Sequence, residues 1–167
     1  VGSEMCIRDS SENMLDVASY RLATHLGLAF IILGFILWYI FMMSLSEAEI
    51  LARQRTRDQS IFGKSTGLMH FVFLQILIGA LVAGIDAGRN YVDWPLMAGG
   101  FLPPDLFALE PVWRNFFEDD GLVQFMHRMS GYILFLFGIF VWYNARKSGN
   151  FKIRQAFNVV ILFMFLQ

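Results

Sequence analysis

The chain has a single cysteine, and its positive and negative charges nearly cancel. With Cys6 alone, no disulfide can form within the chain, and the redox compartment cannot be inferred from cysteine content. The net charge of −1 carries little information about partners, because the charges are segregated along the chain, and we expect no nucleic acid partner. Residues 1–10 carry charges and lack the apolar stretch of a signal peptide, so we expect a non-native leader there.

Long apolar segments dominate the rest of the sequence, and they contain no Asp or Glu. The composition is 56% hydrophobic with 18 Phe, which is too apolar for a soluble domain of this size. Three segments exceed the roughly 20 residues that a spanning helix needs: Leu22 to Leu45, Ser65 to Ile85 and Gly121 to Ala145. We therefore predict an all-α integral membrane protein, built as an antiparallel bundle of transmembrane helices.

The loops between these segments differ in charge and predict an orientation. Basic residues concentrate in the loop over 46–64 and again after the third span, whereas the loop over 86–120 is rich in Asp and Glu. Because Lys and Arg collect on the cytoplasmic side of a membrane, the loop over 86–120 is predicted to lie outside. His25 and His127 are then both near the outer face. We expect a multi-pass protein of the bacterial inner (plasma) membrane, surrounded by membrane lipid.

These two histidines, each with an arginine nearby, are the main indication of function. An ionisable side chain in a membrane helix costs about 2.5–3.5 kcal/mol on insertion scales, so it usually marks a functional site. Two imidazoles at one depth indicate axial ligands of a haem iron, with Arg21 and Arg128 pairing with its propionates. The alternative is that each histidine is structural, bonded to a neighbouring helix, and that each arginine reaches lipid headgroups.

Other polar and small residues of the second predicted span indicate helix packing. We favour packing or a helix–helix hydrogen bond for His70 and Gln75. Small residues at helical spacing permit close helix contact in the same segment; they are Gly79, Ala80, Ala83 and Gly84.

A fourth apolar segment begins at about Ala156 and runs to Gln167, which is too short to span a bilayer. Since the sequence stops within this predicted helix, we expect a fragment of a longer protein. Each histidine also stands alone on its helix, so each needs an axial partner from another helix. Two functions from other classes remain open at this point: a b-type cytochrome that carries electrons in the membrane, and a transporter with histidines in a proton path.

Four motifs in sequence order resemble the haem A synthase family, and the resemblance runs from about Ser19 to Gln167. The first is Ser19-Tyr-Arg-Leu-Ala-Thr-His-Leu-Gly27, and the second is Gly79 to Gly88 followed by Trp94-Pro-Leu-Met97. The third and fourth are Arg114-Asn-Phe-Phe-Glu118 and Val123-Gln-Phe-Met-His-Arg128.

The resemblance implies an eight-helix protein made of two related four-helix bundles. Residues 11–45 would hold an outer segment and the last helix of the N-terminal bundle, and residues 65–167 an incomplete C-terminal bundle. His25 would serve the bundle that binds the substrate haem O, and His127 would be an axial ligand of a haem b cofactor. Catalytic residues are expected on helices absent from this chain, and Gln124 stands where a catalytic glutamate precedes the histidine in the other bundle.

The activity implied by the resemblance is oxidation of the C8 methyl of haem O to a formyl group, giving haem A. The fragment alone is expected to be inactive. Haem O and haem A are the implied substrate and product. Further candidate partners are a haem O synthase, oxidase assembly factors and a second copy of the chain.

Overall fold

The computed structural model describes residues 19–166, and the regular secondary structure over this range is helical. Met97 and Gly100 form an isolated β-bridge, and no strand occurs among residues 19–166. The predicted all-α fold is confirmed, whereas the predicted leader over 1–10, with Cys6, lies outside the described residues. The α-helices are α1 (Ser19–Met43), α2 (Glu47–Arg55), α3 (Gln59–Gly84), α4 (Asn115–Glu118), α5 (Asp120–Arg146) and α6 (Phe151–Leu166), with short 3-10 helices at Ala87–Arg89 and Val112–Arg114.

Helices α1, α3 and α5 are long and apolar enough to cross a membrane. They contain 25, 26 and 27 residues, which at about 1.5 Å per residue exceeds the roughly 30 Å apolar thickness of a bilayer. Most side chains between Leu28 and Phe41 of α1 are apolar and exposed, as expected of a surface that contacts lipid or further helices. The three predicted spans are therefore confirmed.

Helix α3 begins at Gln59, earlier than the predicted Ser65, because a carboxylate caps it. Asp58 Oδ1 accepts hydrogen bonds from the backbone N–H groups of Ser60 (2.9 Å) and Ile61 (3.1 Å). These are N–H groups that have no partner inside the helix, so the cap stabilises a polar first turn. The sequence predicts this turn as part of the basic loop over 46–64.

Helix α6 likewise begins earlier than predicted, at Phe151 rather than Ala156. The side-chain oxygen of Asn150 accepts a hydrogen bond from the N–H of Lys152 (2.9 Å) and so caps the first turn. The sequence predicts a loop for the basic residues before Ala156, although a helix can begin at the membrane surface before its apolar part.

The predicted cytoplasmic loop over 46–64 contains the short helix α2. Ser46 and Glu49 form a capping box: the Glu49 N–H donates to Ser46 Oγ (3.3 Å), and Ser46 N–H donates to Glu49 Oε2 (2.9 Å). The same hydrogen bond from the Ser46 backbone lowers the pKa of the Glu49 carboxyl. This local pair, rather than tertiary packing, accounts for a helix with no buried residue.

The described chain divides into two compact units. The first unit comprises residues 19–30 and 76–129, and its core is Ala23, Ala80, Leu81 and Val123. The second unit comprises residues 31–75 and 130–166, and its core is Leu68, Leu134 and Val141. Small residues in the first core allow helices to approach closely, which matches the packing predicted for the second span.

Polar side chains link helices within the second unit. Ser130 Oγ of α5 donates to Gln75 Oε1 of α3 (2.6 Å), and Gln75 is only 8% exposed. Lys64 Nζ donates to Asn144 Oδ1 (3.0 Å) between the same two helices. The helix–helix hydrogen bond predicted for Gln75 is therefore present.

Candidate functional site

The first unit holds all four residues that the sequence predicted to bind haem. Ala23 of α1 and Val123 of α5 share one core with α3, and Leu26 and Met126 pack against that core. These residues flank His25 and His127 along the chain. The two histidines thus belong to helices that meet at one core within one unit.

A close backbone contact joins α1 to α3 in this unit. A Cβ at Gly84 would lie 2.9 Å from the Cα of Ser19, so only glycine fits there. Ser19 is buried, and its Oγ donates to the carbonyl of Phe117 (2.8 Å). The beginning of α1 is therefore fixed against both α3 and the outer loop.

The imidazole of His127 packs directly on the backbone of α3 at Gly79. A Cβ at Gly79 would lie 3.1 Å from Cε1 of the ring, 3.6 Å from Nδ1 and 4.0 Å from Nε2. The ring is half-buried, and Nε2 is its nitrogen farther from this contact. The sequence indicated Gly79 only as a packing residue; that its neighbour is His127 emerges from the structure.

Arg128, the next residue, binds three backbone carbonyls of the outer loop. Its Nη1 donates to the carbonyls of Asp93 (2.9 Å) and Leu96 (3.0 Å), and its Nη2 donates to that of Tyr91 (2.6 Å). These bonds leave Nε–H and the second hydrogen of Nη2 as donors. The propionate role of Arg128 stays a prediction, and the loop contacts are ones that sequence reasoning missed.

The loop segment that Arg128 binds is a compact turn, which we call the outer-loop turn, residues 91–100. Met97 and Gly100 exchange two backbone hydrogen bonds (2.7 and 3.1 Å), and Met97 is 1% exposed. The Asp93 carboxylate accepts from the N–H groups of Gly99 (3.0 Å) and Ala98 (3.2 Å). The Gly99 N–H, together with that of Ala98, lowers the pKa of the Asp93 carboxyl.

Gln124 lies one helical turn before His127 and is buried. Its Nε2 donates to the Tyr91 carbonyl (2.9 Å), the same oxygen that Arg128 binds. Its Oε1 is buried and has no hydrogen-bond donor among residues 19–166. Partial burial raises the pKa of the nearby Tyr91 phenol, and the negative charge of Asp119 acts in the same direction.

The remaining predicted residues lie on exposed surfaces. Arg21 and His25 are exposed on α1. His70 is also exposed, and its Nδ1 lies 2.8 Å from the carbonyl of Thr66 in the preceding turn of its own helix. Within residues 19–166 the contact found for His70 lies inside α3, and the packing or helix–helix bond that we favour for it stays a prediction.

The donor set suits a porphyrin better than a bare metal ion. Within residues 19–166, no three His, Cys, Asp or Glu side chains are grouped closely enough to hold a metal ion. His127 offers one imidazole in an apolar core region, packed closely against Gly79 of the opposing helix. A haem needs a single protein ligand per face, since the porphyrin supplies the other four. The residues present therefore fit a haem.

Comparison with known proteins identifies relatives along almost the whole chain. The model of the COX15-CtaA family, described as cytochrome oxidase assembly protein, matches residues 4–167. The chain is 56% identical over 156 residues to the protein named Heme A synthase of Ruegeria sp. (strain TM1040) and 58% identical over 156 residues to that of Roseobacter denitrificans. In each case the match covers 93% of this chain and 41% of the relative. The chain is also 53% identical over 167 residues to the protein named Heme A synthase of Dinoroseobacter shibae. That match covers 100% of this chain and 44% of the relative. No solved structure matches the chain.

Proposed function

The chain belongs to the COX15-CtaA family of cytochrome oxidase assembly proteins, and on this basis we propose that it serves haem A synthesis, the oxidation of the C8 methyl of haem O to a formyl group. The observation that carries the proposal is its 56–58% identity, over nearly its whole length, to bacterial proteins named Heme A synthase. Since the chain spans 41% of those relatives, we propose that it acts as part of a longer protein.

We assign to His127 the axial ligation of a haem b cofactor. The assignment is supported by a half-buried imidazole against Gly79 and by the apolar core formed around Val123. When bound, haem b supplies an iron centre that exchanges electrons, while the protein supplies ligation, orientation and an apolar surrounding. Arg128 has N–H groups left, beyond its loop contacts, that suit a propionate carboxylate.

We assign to His25 and Arg21 the binding of the substrate haem O, as iron ligand and propionate partner. Both side chains are exposed on α1, as a site completed by further helices requires. Arg21 lies four residues before His25, so the two side chains share one face of the helix. We assign no catalytic residue within this chain. Gln124 cannot ionise, which suits a cofactor site better than proton transfer.

The same proposal places the protein in the inner (plasma) membrane of a bacterium, since the three relatives named above are bacterial and three helices can span a bilayer. Its proposed partners are haem O and haem A. A haem O synthase, oxidase assembly factors and a second copy of the chain are further candidates.

The test is haem extraction and chromatography from membranes that contain the full-length protein together with a haem O synthase. We expect haem A to accumulate, and to disappear when the full-length protein is left out. Haem b retained while haem O stays unconverted would replace the proposal with a b-type electron carrier. A protein without any bound haem would return the histidines to a structural or transport role.

A further inference from the structure

The outer-loop turn is a preformed element rather than a flexible connection. The Met97–Gly100 bridge closes it, and the Asp93 carboxylate binds two successive N–H groups at its tip. The backbone there is left-handed at Ala98 (φ 50°), a conformation that residues other than glycine seldom adopt without such support, and at Gly99 (φ 80°), where glycine adopts it readily. A turn closed by so few hydrogen bonds of its own still depends on external contacts, both to stay closed and to keep its position on α5.

Two side chains of α5, one helical turn apart, supply four such contacts. Arg128 binds the carbonyls at 91, 93 and 96, and Gln124 binds the carbonyl at 91 again. Phe101, just after the turn, adds an edge-to-face contact with Phe125 of α5 at a centroid distance of 5.9 Å. All these anchoring residues lie within one helical turn of His127.

We infer that Arg128 is a positioning residue, whose guanidinium fixes the outer-loop turn on α5. It thereby determines where this turn covers the surface of the protein next to His127. The chemistry requires arginine. Its planar group presents donors in several fixed directions, so that one side chain can satisfy three carbonyls at once. Lysine would retain the positive charge, and with it attraction to a lipid phosphate or a propionate, but its ammonium group is a single point on a flexible stem.

This distinction allows the charge of Arg128 to be tested separately from its geometry. The variant Arg128→Lys keeps the charge and loses the three-carbonyl arrangement. The matched control is Arg89→Lys in the same loop, since Arg89 is exposed and its only described ion pair, with Asp86, is long at 3.6 Å. The inference rests on the proposed function only where bound haem b is measured. Exchange of the turn amides can be measured whether or not the protein makes haem A.

The experiment is amide hydrogen exchange by mass spectrometry on the full-length protein in detergent, following the peptide that covers residues 91–100. We expect exchange in Arg128→Lys to be about tenfold faster or more, since one hydrogen bond to a charged group contributes roughly that factor. Bound haem b should remain, with its absorption and redox potential shifted because water reaches it more easily. Arg89→Lys should match the wild type in both readouts.

If the turn exchanges at the wild-type rate in Arg128→Lys, the positioning role is refuted. Loss of haem b without faster exchange refutes it too and assigns the guanidinium to the propionate. Should Arg128→Lys fail to accumulate, Arg128→Gln is the second variant, because its amide nitrogen has two N–H groups and so can bind at most two of the three carbonyls. A smaller acceleration of the same peptide supports the inference, and an unchanged rate overturns it. Failure of the proposed function would appear separately, as unconverted haem O with the exchange results intact.

Discussion

Replacing Gly79 by Ala should disturb His127 by a calculable amount. The added methyl would lie 3.1 Å from Cε1 of the imidazole, whereas ordinary van der Waals contact begins near 3.4 Å. The ring must therefore retreat by a few tenths of an ångström, or the two helices must separate by a similar distance. Overpacking of this kind costs about 1–3 kcal/mol, partly offset by the roughly 0.5–1 kcal/mol that alanine gains over glycine within a helix.

The assay is titration of haem b into the full-length protein, with electron paramagnetic resonance of the bound state. We expect Gly79→Ala to weaken haem b binding about tenfold, which corresponds to roughly 1.4 kcal/mol, and to shift the low-spin signal because the imidazole is displaced. Gly63→Ala is the matched control, since a methyl at Gly63 meets no atom within 4 Å in the described part of the chain and lies in the same helix.

The difference between the two variants removes the effect of helix propensity, which both share. If Gly79→Ala binds haem b with the affinity and spectrum of Gly63→Ala, the contact with Gly79 does not position the ligand. The reasoning from the close approach would then be wrong, even if His127 were the axial ligand.

Three further predictions follow from the same geometry. His127→Ala should eliminate bound haem b in the pyridine haemochrome assay, whereas His70→Ala, altering an exposed ring bonded to its own helix, should leave haem content unchanged. Gly84→Ala should lower the thermal midpoint in detergent more than Gly79→Ala does, because its methyl would meet the backbone of Ser19 at 2.9 Å and backbone cannot rotate away. Because hydrogen bonding lowers the pKa of Asp93, its support of the outer-loop turn should be complete above the ordinary pKa and lost as pH falls through the lowered one. The protection factors of the turn amides, which compare the observed exchange rate with the intrinsic rate at the same pH, should fall only on that acidic side, and protection factors that do not change with pH would contradict this.

The membrane spans could be predicted from the sequence because each is a long, continuous run of apolar residues. A bilayer requires about 20 apolar residues in succession, and α1, α3 and α5 show that length directly. The beginnings of α3 and α6 could not, because they depend on single caps, Asp58 and Asn150, that precede polar turns. The pattern of apolar residues does not indicate a helix over such polar turns.

The sequence could indicate which residues are candidates for the site, but it could not indicate which atoms these residues contact. His127 and Arg128 stood out because ionisable side chains are rare at membrane depth. The partners of Arg128 are backbone carbonyls, which every residue has, so no sequence pattern identifies them. Gly79 was read as a packing residue, and only the register of α3 against α5 shows that the ring of His127 occupies the space above it.

The hydrogen bond between Gln75 and Ser130 has a consequence for how the protein is assembled during biogenesis. Each of these helices must enter the membrane carrying a polar group whose partner belongs to the other helix. The bond can therefore form only after both helices are inserted, in a second, lateral step of association. Once formed, it fixes the axial alignment of α3 and α5, because a slip of one turn would leave the Gln75 amide facing hydrocarbon. Thus the bond between Gln75 and Ser130 would retain correctly aligned helix pairs and let misaligned ones separate.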